Sequence, residues 1–194
     1  KKLASGKKLR VKLGIDPTAP DLHLGHAAVL RKLRQFQDLG HQAVLIVGDF
    51  TTLIGDPSGR SASRPQIDGA QIRDNMKNYI NQAAKVIDVE SAEIRYNSEW
   101  FSPKPMLFLM DLAKRFTVAR LIEREDFQKR LSAGMDVSML EMLYPLLQGY
   151  DSVAVAADVE LGGYDQRLNI LFGRKVQRSF DLPEQDAVFC PLLP

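Results

Sequence analysis

A chain of 194 residues that is 45% apolar, 26% charged and 8% aromatic can bury one large core, and its near-average composition, with no biased run, excludes disorder and fibrous architecture. Lys and Arg number 26 against 24 Asp and Glu, a net charge of +2, so charge alone makes no case for a nucleic-acid partner. One cysteine, Cys190, can neither staple the fold nor build a thiolate metal site. It fits a reducing compartment, and no apolar stretch approaches the roughly 18 residues of a membrane span. The basic start Lys1 to Lys8 has no apolar region behind it, so a soluble, cytoplasmic protein with no membrane association is expected. The chain opens without Met and stops at Pro194, and further sequence on either side is expected.

Leu9 to Ile15 alternates in the β manner, with Val11, Leu13 and Ile15 on one side, and runs into the loop signal Asp16-Pro17-Thr18-Ala19-Pro20-Asp21. Leu24, Ala28, Leu30, Leu33 and Phe36 then recur at helical spacing, with Gly40 where a C-terminal cap belongs. Ala43 to Val47 is a continuous apolar run, as in a parallel strand covered on both faces. Thr51 to Pro65, rich in Gly, Ser, Thr and Pro, reads as a functional loop. Ile72, Met76, Tyr79, Ile80, Ala83 and Ile87 mark the next helix, and Glu93 to Tyr96 a third strand.

From Met106 to Leu147 the pattern is helical, with breaks near Phe116 and Gly134. Val153 to Ala156 reads as another strand, Asp158 to Asp165 as a loop, Arg167 to Phe180 as a helix, and Phe189 to Leu193 as a buried strand. The expected fold class is therefore α/β, an open parallel sheet flanked by helices, with a helical insertion over about 104–150. Ligands of such sheets bind at the carboxyl ends of the strands, and three polar loops fall there: Asp16 to His26, Gly48 to Arg60, and Asp158 to Gln166.

Four constellations carry chemistry. His23 and His26 open a helix, where unsatisfied backbone N–H groups add partial positive charge suited to a polyphosphate, and Gly25 between them lets a flat ring approach the backbone. Zinc is a poor fit for the pair, since no Cys cluster accompanies it and His41 is the only other imidazole; two capping or solvent-facing histidines are the plainer alternative. Gly55-Asp56-Pro57-Ser58-Gly59 is either a tight turn or a carboxylate presented to a ligand's cation.

Tyr144, Gln148 and Asp151, spaced by four and three, share one face of an otherwise apolar helix. They form either a mutually hydrogen-bonded stripe or a pocket for a small zwitterion. Gly162-Gly163 followed by Asp165 and Gln166 lets backbone approach a ligand and offers an acceptor to ribose hydroxyls.

Taken in order, Asp16-Pro17-Thr18 leading to His23-Leu24-Gly25-His26 resembles the HIGH signature of class I aminoacyl-tRNA synthetases. Gly55 to Gly59, then Tyr144, Gln148 and Asp151, then Gly162 to Gln166, resemble the bacterial tyrosyl-tRNA synthetase family within that class, over about residues 10–194. The resemblance implies a Rossmann-like catalytic domain that activates L-tyrosine with ATP, releasing pyrophosphate, and passes the tyrosyl group from its adenylate to the 3′ end of tRNA(Tyr).

It further implies that His23 and His26 hold the ATP phosphates, that Gly25 leaves room for adenine, and that Gly14, Asp16 and Thr18 line the nucleotide site. Asp56, Tyr144 and Gln148 would take the α-ammonium, Asp151 would accept from the phenol, Asp165 would meet the ribose, and Gly163 and Gln166 would flank the adenylate. Mg²⁺ is expected with ATP but without a protein cage of its own. A homodimer is expected through the insertion, whose Met106, Met110, Met135, Met139 and Met142 otherwise read as core.

The family's KMSKS loop does not occur before Pro194, nor do the anticodon-binding and C-terminal RNA-binding domains. The expectation is a catalytic domain over 1–194 that by itself binds tyrosine, activates it poorly and hardly charges tRNA. Lys12 stands where many members place a tyrosine against the substrate phenol, and Tyr164 where a small Ser or Thr is common, its bulk bearing on the pocket near the glycines. A nucleotidyl transferase acting on another acceptor and a non-catalytic tyrosine-binding module are the alternatives.

Overall fold

The computed structural model describes residues 2–55 and 69–191, with side chains from residue 71 onward in the second segment. Five strands, β1 (Arg10–Ile15), β2 (Gln42–Val47), β3 (Glu93–Tyr96), β4 (Val159–Gly163) and β5 (Asp186–Cys190), form one parallel sheet in the order β3-β2-β1-β4-β5. The chain builds outward from β1 through β2 to β3, then returns to lay β4 on the other side of β1. That reversal leaves a crevice at the carboxyl ends of β1 and β4, the switch point where open α/β sheets bind ligands.

The sheet is covered on both faces because its central strands carry apolar side chains on both. Val11, Leu13, Ile15, Ala43 and Leu45 pack with α1 (Leu24–Asp38) and with Tyr79, Ala83 and Ile87. Val44 and Ile46 turn the other way, toward a second core of Trp100, Leu112, Leu146, Leu147 and Val176. The alternation read in β1 thus places Val11, Leu13 and Ile15 on one face. α1 ends as its sequence suggests, with Gly40 in the left-handed region (φ 84°) and its N–H donating back to the Gln37 carbonyl at 2.8 Å.

After β2 comes a single helical turn, α2 (Asp49–Thr52), at the head of the stretch expected to be loop; residues 56–68, which include Asp56 and its turn, lie outside the described residues. α3 spans Gly69–Ala83, so Ile87, expected within that helix, falls beyond its end and still packs in the core. The insertion follows β3 and α4 (Ser98–Phe101) as α5 (Met106–Ala113), α6 (Val118–Leu121), α7 (Glu125–Ser132) and α8 (Met139–Ala154). Its breaks include those expected near Phe116 and Gly134, and one more at residues 122–124.

Two expectations fail together. Val153 to Ala156 is not a strand: the first two residues end α8, Val155 caps it and Ala156 reverses the chain at φ 48°. The strand is β4, inside the stretch read as a loop from Asp158 to Asp165. The alternating Val and Ala imitated a strand, while the glycine pair imitated a turn. Gly162 instead marks a close approach inside a buried strand, since a Cβ there would stand 2.6 Å from Ile170 Cδ1 of α9 (Arg167–Ser179). A similar constraint brings α8 against α9, where Gly149 faces Val176 and the Gly173 backbone.

Candidate active site

A cavity of about 430 Å³ occupies the crevice between β1 and β4. Every site residue named from the sequence that lies among the described residues lines it, and only Asp56 falls outside them.

One end of the cavity is the start of α1. His23 is the N-cap, its Nδ1 accepting from the Gly25 N–H at 3.1 Å, and His26 Nδ1 accepts from the His23 N–H at 3.2 Å. The two rings lie 3.9 Å apart, centroid to centroid. The histidines are therefore capping groups and cavity groups at once. With each Nδ1 used as an acceptor, the neutral tautomer carries its proton on Nε2, which leaves an N–H donor on the far edge of each ring.

Burial, and then the like charge of His23, lower the His26 pKa to about 4 against an opposing pull from Asp165, so His26 is neutral at pH 7. At Gly25 a Cβ would press on the His23 ring at 2.9 Å, so this glycine is what lets His23 fold back as a cap. A Cβ at Gly14 would meet nothing within 4 Å, which leaves open space over this part of the cavity.

The loop joining β1 to α1 is held from α3. Asn75 Nδ2 donates to the Pro17 carbonyl at 3.0 Å, and Gln82 pairs with both the Leu22 N–H (2.8 Å) and the Asp21 carboxylate (2.6 Å). Across the cavity, Asp165 is exposed on the turn after β4. Gln166 donates to Asp165 at 3.3 Å and accepts from Asn169 at 3.0 Å.

The other end of the cavity is built on α8. Tyr144, Gln148 and Asp151 all face the cavity, yet they are not bonded to one another as a stripe; each reaches a different element. Tyr144 donates its hydroxyl to Asp16 Oδ2 at 2.9 Å. Asp16 Oδ1 accepts from Thr51 at 2.8 Å, Thr51 accepts from Asn97 Nδ2 at 3.0 Å, and Asn97 reaches Asp151 Oδ2 at 3.4 Å. Trp100 Nε1 completes the chain at Asp151 Oδ1, 2.9 Å away.

Asp151 is 4% exposed. Burial raises its pKa to about 7, opposed by the Lys12 charge and by the Trp100 and Asn97 hydrogen bonds. Thr51, Asn97 and Trp100 were not foreseen. No periodic or motif signal marks them, because their role depends on a short turn after β2 and another after β3 meeting α8 in space.

Neither residue singled out as a departure lines the cavity. Lys12 is fully buried beneath α8, where it pairs with Glu160 at 2.8 Å and donates to the Gln148 backbone carbonyl at 3.1 Å. Tyr164 is 60% exposed and stacks edge-on against Phe189, so its bulk does not narrow the pocket. Among the described residues no group of three or more His, Cys, Asp or Glu is arranged to hold a metal ion.

Helix-terminal donors, two imidazoles and an exposed carboxylate meet at the switch point of a parallel sheet, the place where open α/β sheets bind ligands. A family model, tRNA synthetases class I (W and Y), matches residues 4–194, and the chain belongs to that family. The tyrosine–tRNA ligase of Burkholderia mallei is 56% identical over 193 residues, covering 100% of this chain and 47% of its own length. That of Ralstonia nicotianae is 53% identical over 190 residues, covering 98% and 48% respectively. The chain thus spans about half the length of the curated relatives it matches. The crystal structure of a C-terminally truncated Aspergillus nidulans mitochondrial tyrosyl-tRNA synthetase superposes with a TM-score of 0.87 at 25% identity, covering 100% of this chain and 63% of that one.

Proposed function

We propose that this chain is the catalytic portion of a cytoplasmic tyrosine–tRNA ligase, taking L-tyrosine and ATP to tyrosyl-AMP and pyrophosphate and then tyrosyl to the 3′ end of tRNA(Tyr). The observation that carries the reading is that α8's Tyr144, Gln148 and Asp151 share one cavity with the His23 and His26 helix start. An amino-acid pocket and a phosphate pocket are then adjacent, as carboxylate attack on a nucleotide requires. The identity to tyrosine–tRNA ligases supports the choice of amino acid.

The attacking group needs no activation, since a carboxylate is already ionised at pH 7. The residues have two tasks: to hold two anions in line, and to meet charge as it grows on the departing phosphates. The N-terminus of α1 supplies backbone donors and a positive dipole end, and the Nε2–H groups of His23 and His26 supply two further donors. Asp165 accepts from the ribose, with Gly163 and Gln166 alongside the adenylate, while Gly14, Asp16, Thr18 and Gly25 line the nucleotide.

Tyr144 still offers oxygen lone pairs to the α-ammonium after donating to Asp16, and Gln148 offers its carbonyl oxygen. Asp56 is assigned to the same ammonium by resemblance alone. Asp151, held by Trp100 and Asn97, takes the phenol. Mg²⁺ is assigned to the ATP phosphates as their counter-ion, and among the described residues no group of three or more His, Cys, Asp or Glu is arranged to hold it.

A homodimer is proposed through the insertion. Met106, Met110, Met135 and Met139 are exposed there, together with Leu107 and Leu140, and only Met142 of its methionines packs against the core. Among the described residues no helix is long and apolar enough to cross a membrane.

Calorimetry with tyrosine and phenylalanine, with and without a non-hydrolysable ATP analogue, tests the reading. Tyrosine should bind in clear preference, and the preference should vanish in Asp151→Ala. Equal binding of the two amino acids would overturn the assignment.

A further inference from the structure

Behind Gln148 lies a buried charge pair that does not itself line the cavity. Lys12 of β1 and Glu160 of β4 are 0% and 1% exposed. The Lys12 ammonium donates to Glu160 Oε1 at 2.8 Å, to Ser152 Oγ at 2.9 Å and to the Gln148 backbone carbonyl at 3.1 Å. Its three N–H groups are then all engaged. Glu160 also accepts from Ser152 Oγ at 3.2 Å and from the Gln185 side-chain amide.

The same carboxylate stands 3.5 Å from Gln148 Nε2. Gln148 Oε1, by contrast, is buried and has no hydrogen-bond partner among the described residues. A carboxamide has a donor end and an acceptor end of nearly the same shape, so packing alone does not decide which end faces a ligand. A carboxylate on one side does decide it, by attracting N–H and repelling the amide oxygen.

We propose that Glu160 is a positioning residue that turns the Gln148 amide so that its oxygen, and not its NH₂, is presented to the α-ammonium of the amino acid. Lys12 balances the Glu160 charge, so the anion orients Gln148 without adding net negative charge behind the pocket. The unpaired Oε1 is costly while the site lacks a donor and is satisfied when an ammonium arrives. The proposal rests on the tyrosine-site reading of the cavity and adds to it a residue that acts without contacting the ligand.

The test compares binding of L-tyrosinol and its des-amino counterpart, which differ at the ammonium. The 194-residue chain is measured beside Lys12→Met/Glu160→Leu and Lys12→Met/Glu160→Gln, in which no lone buried charge remains, each first checked for cooperative melting. In both double variants tyrosinol should weaken about tenfold while the des-amino compound stays within about twofold, the scale of one lost hydrogen bond. Equal weakening of both compounds, no weakening of either, or failure of both variants to fold would mean a merely structural pair and overturn the proposal. Gln148→Ala separates the two levels. If it spares the difference between the compounds, the reading of Gln148 fails and the proposal with it; if it abolishes that difference and the double variants do not, only the role of Glu160 fails.

Discussion

The Tyr144 hydroxyl donates to the Asp16 carboxylate at 2.9 Å, joining α8 to the end of β1 across 128 residues of chain. Both residues line the cavity. Tyr144→Phe keeps the buried ring and removes this link together with the acceptor proposed above for the ammonium. Tyrosine should bind about tenfold more weakly, with a melting temperature lowered by only a few degrees. Tyrosine-dependent pyrophosphate exchange and thermal melting check the two halves.

Asp151 should make amino-acid selection depend on pH. Above its pKa of about 7 the ionised group punishes a ligand without a phenol, because a buried anion is left without that donor. Below it the neutral acid is punished less. The preference for tyrosine over phenylalanine, measured by competition binding, should rise as pH passes upward through about 7 and be flat in Asp151→Asn.

The same group has a stability signature. Its pKa is raised from 3.8, so between about 4 and 7 the folded chain holds a proton that the unfolded chain has released, and this contribution to stability falls as pH rises. Asp151→Asn removes that slope. Denaturant titrations of both proteins should therefore diverge in favour of the variant as pH rises, most above pH 7.

His26 has the opposite sign. Its pKa is lowered from 6.5 to about 4, so between those values the unfolded chain binds the extra proton and stability rises with pH. His26→Gln should flatten that slope in the same titrations. The ring stays neutral from about pH 5 upward, so its Nε2–H donor is constant there. Pyrophosphate exchange should show no inflection at the ordinary histidine pKa that is traceable to His26.

Gly48, at the end of β2, is fixed by its neighbours, since a Cβ would collide with the Asp16 carboxylate and the Thr51 hydroxyl. Gly48→Ala should displace Asp16, costing about 1–3 kcal/mol of stability and weakening tyrosine binding as well. Gly14→Ala, with open space around its Cβ, should leave the melting temperature close to that of the parent chain and impair ATP binding instead. Melting curves and nucleotide titrations on the two variants distinguish these outcomes.

The sheet was legible where strand period and apolar runs agree, as in β1 and β2, and the cavity groups were legible where chemistry repeats at helical spacing, as in Tyr144, Gln148 and Asp151. β4 was not, because Gly162 serves a packing purpose that depends on Ile170 and imitates a turn in one dimension. The chain from Thr51 through Asn97 to Trp100 was not legible either. Each contributes one polar group from a separate short turn, and only the folded sheet brings them to Asp151. Lys12 could be seen as unusual from its position, but its partner Glu160, on the neighbouring strand, could not be seen.

The order β3-β2-β1-β4-β5 divides the cavity between two stretches of chain that meet side by side. In the function proposed above, phosphate handling falls to the first, before Gly48, and side-chain choice to α8 in the second. Substitutions along a few turns of one helix could therefore retarget the domain to another guest while the activation chemistry is inherited unchanged. One scaffold can in this way diversify its vocabulary without reinventing its engine.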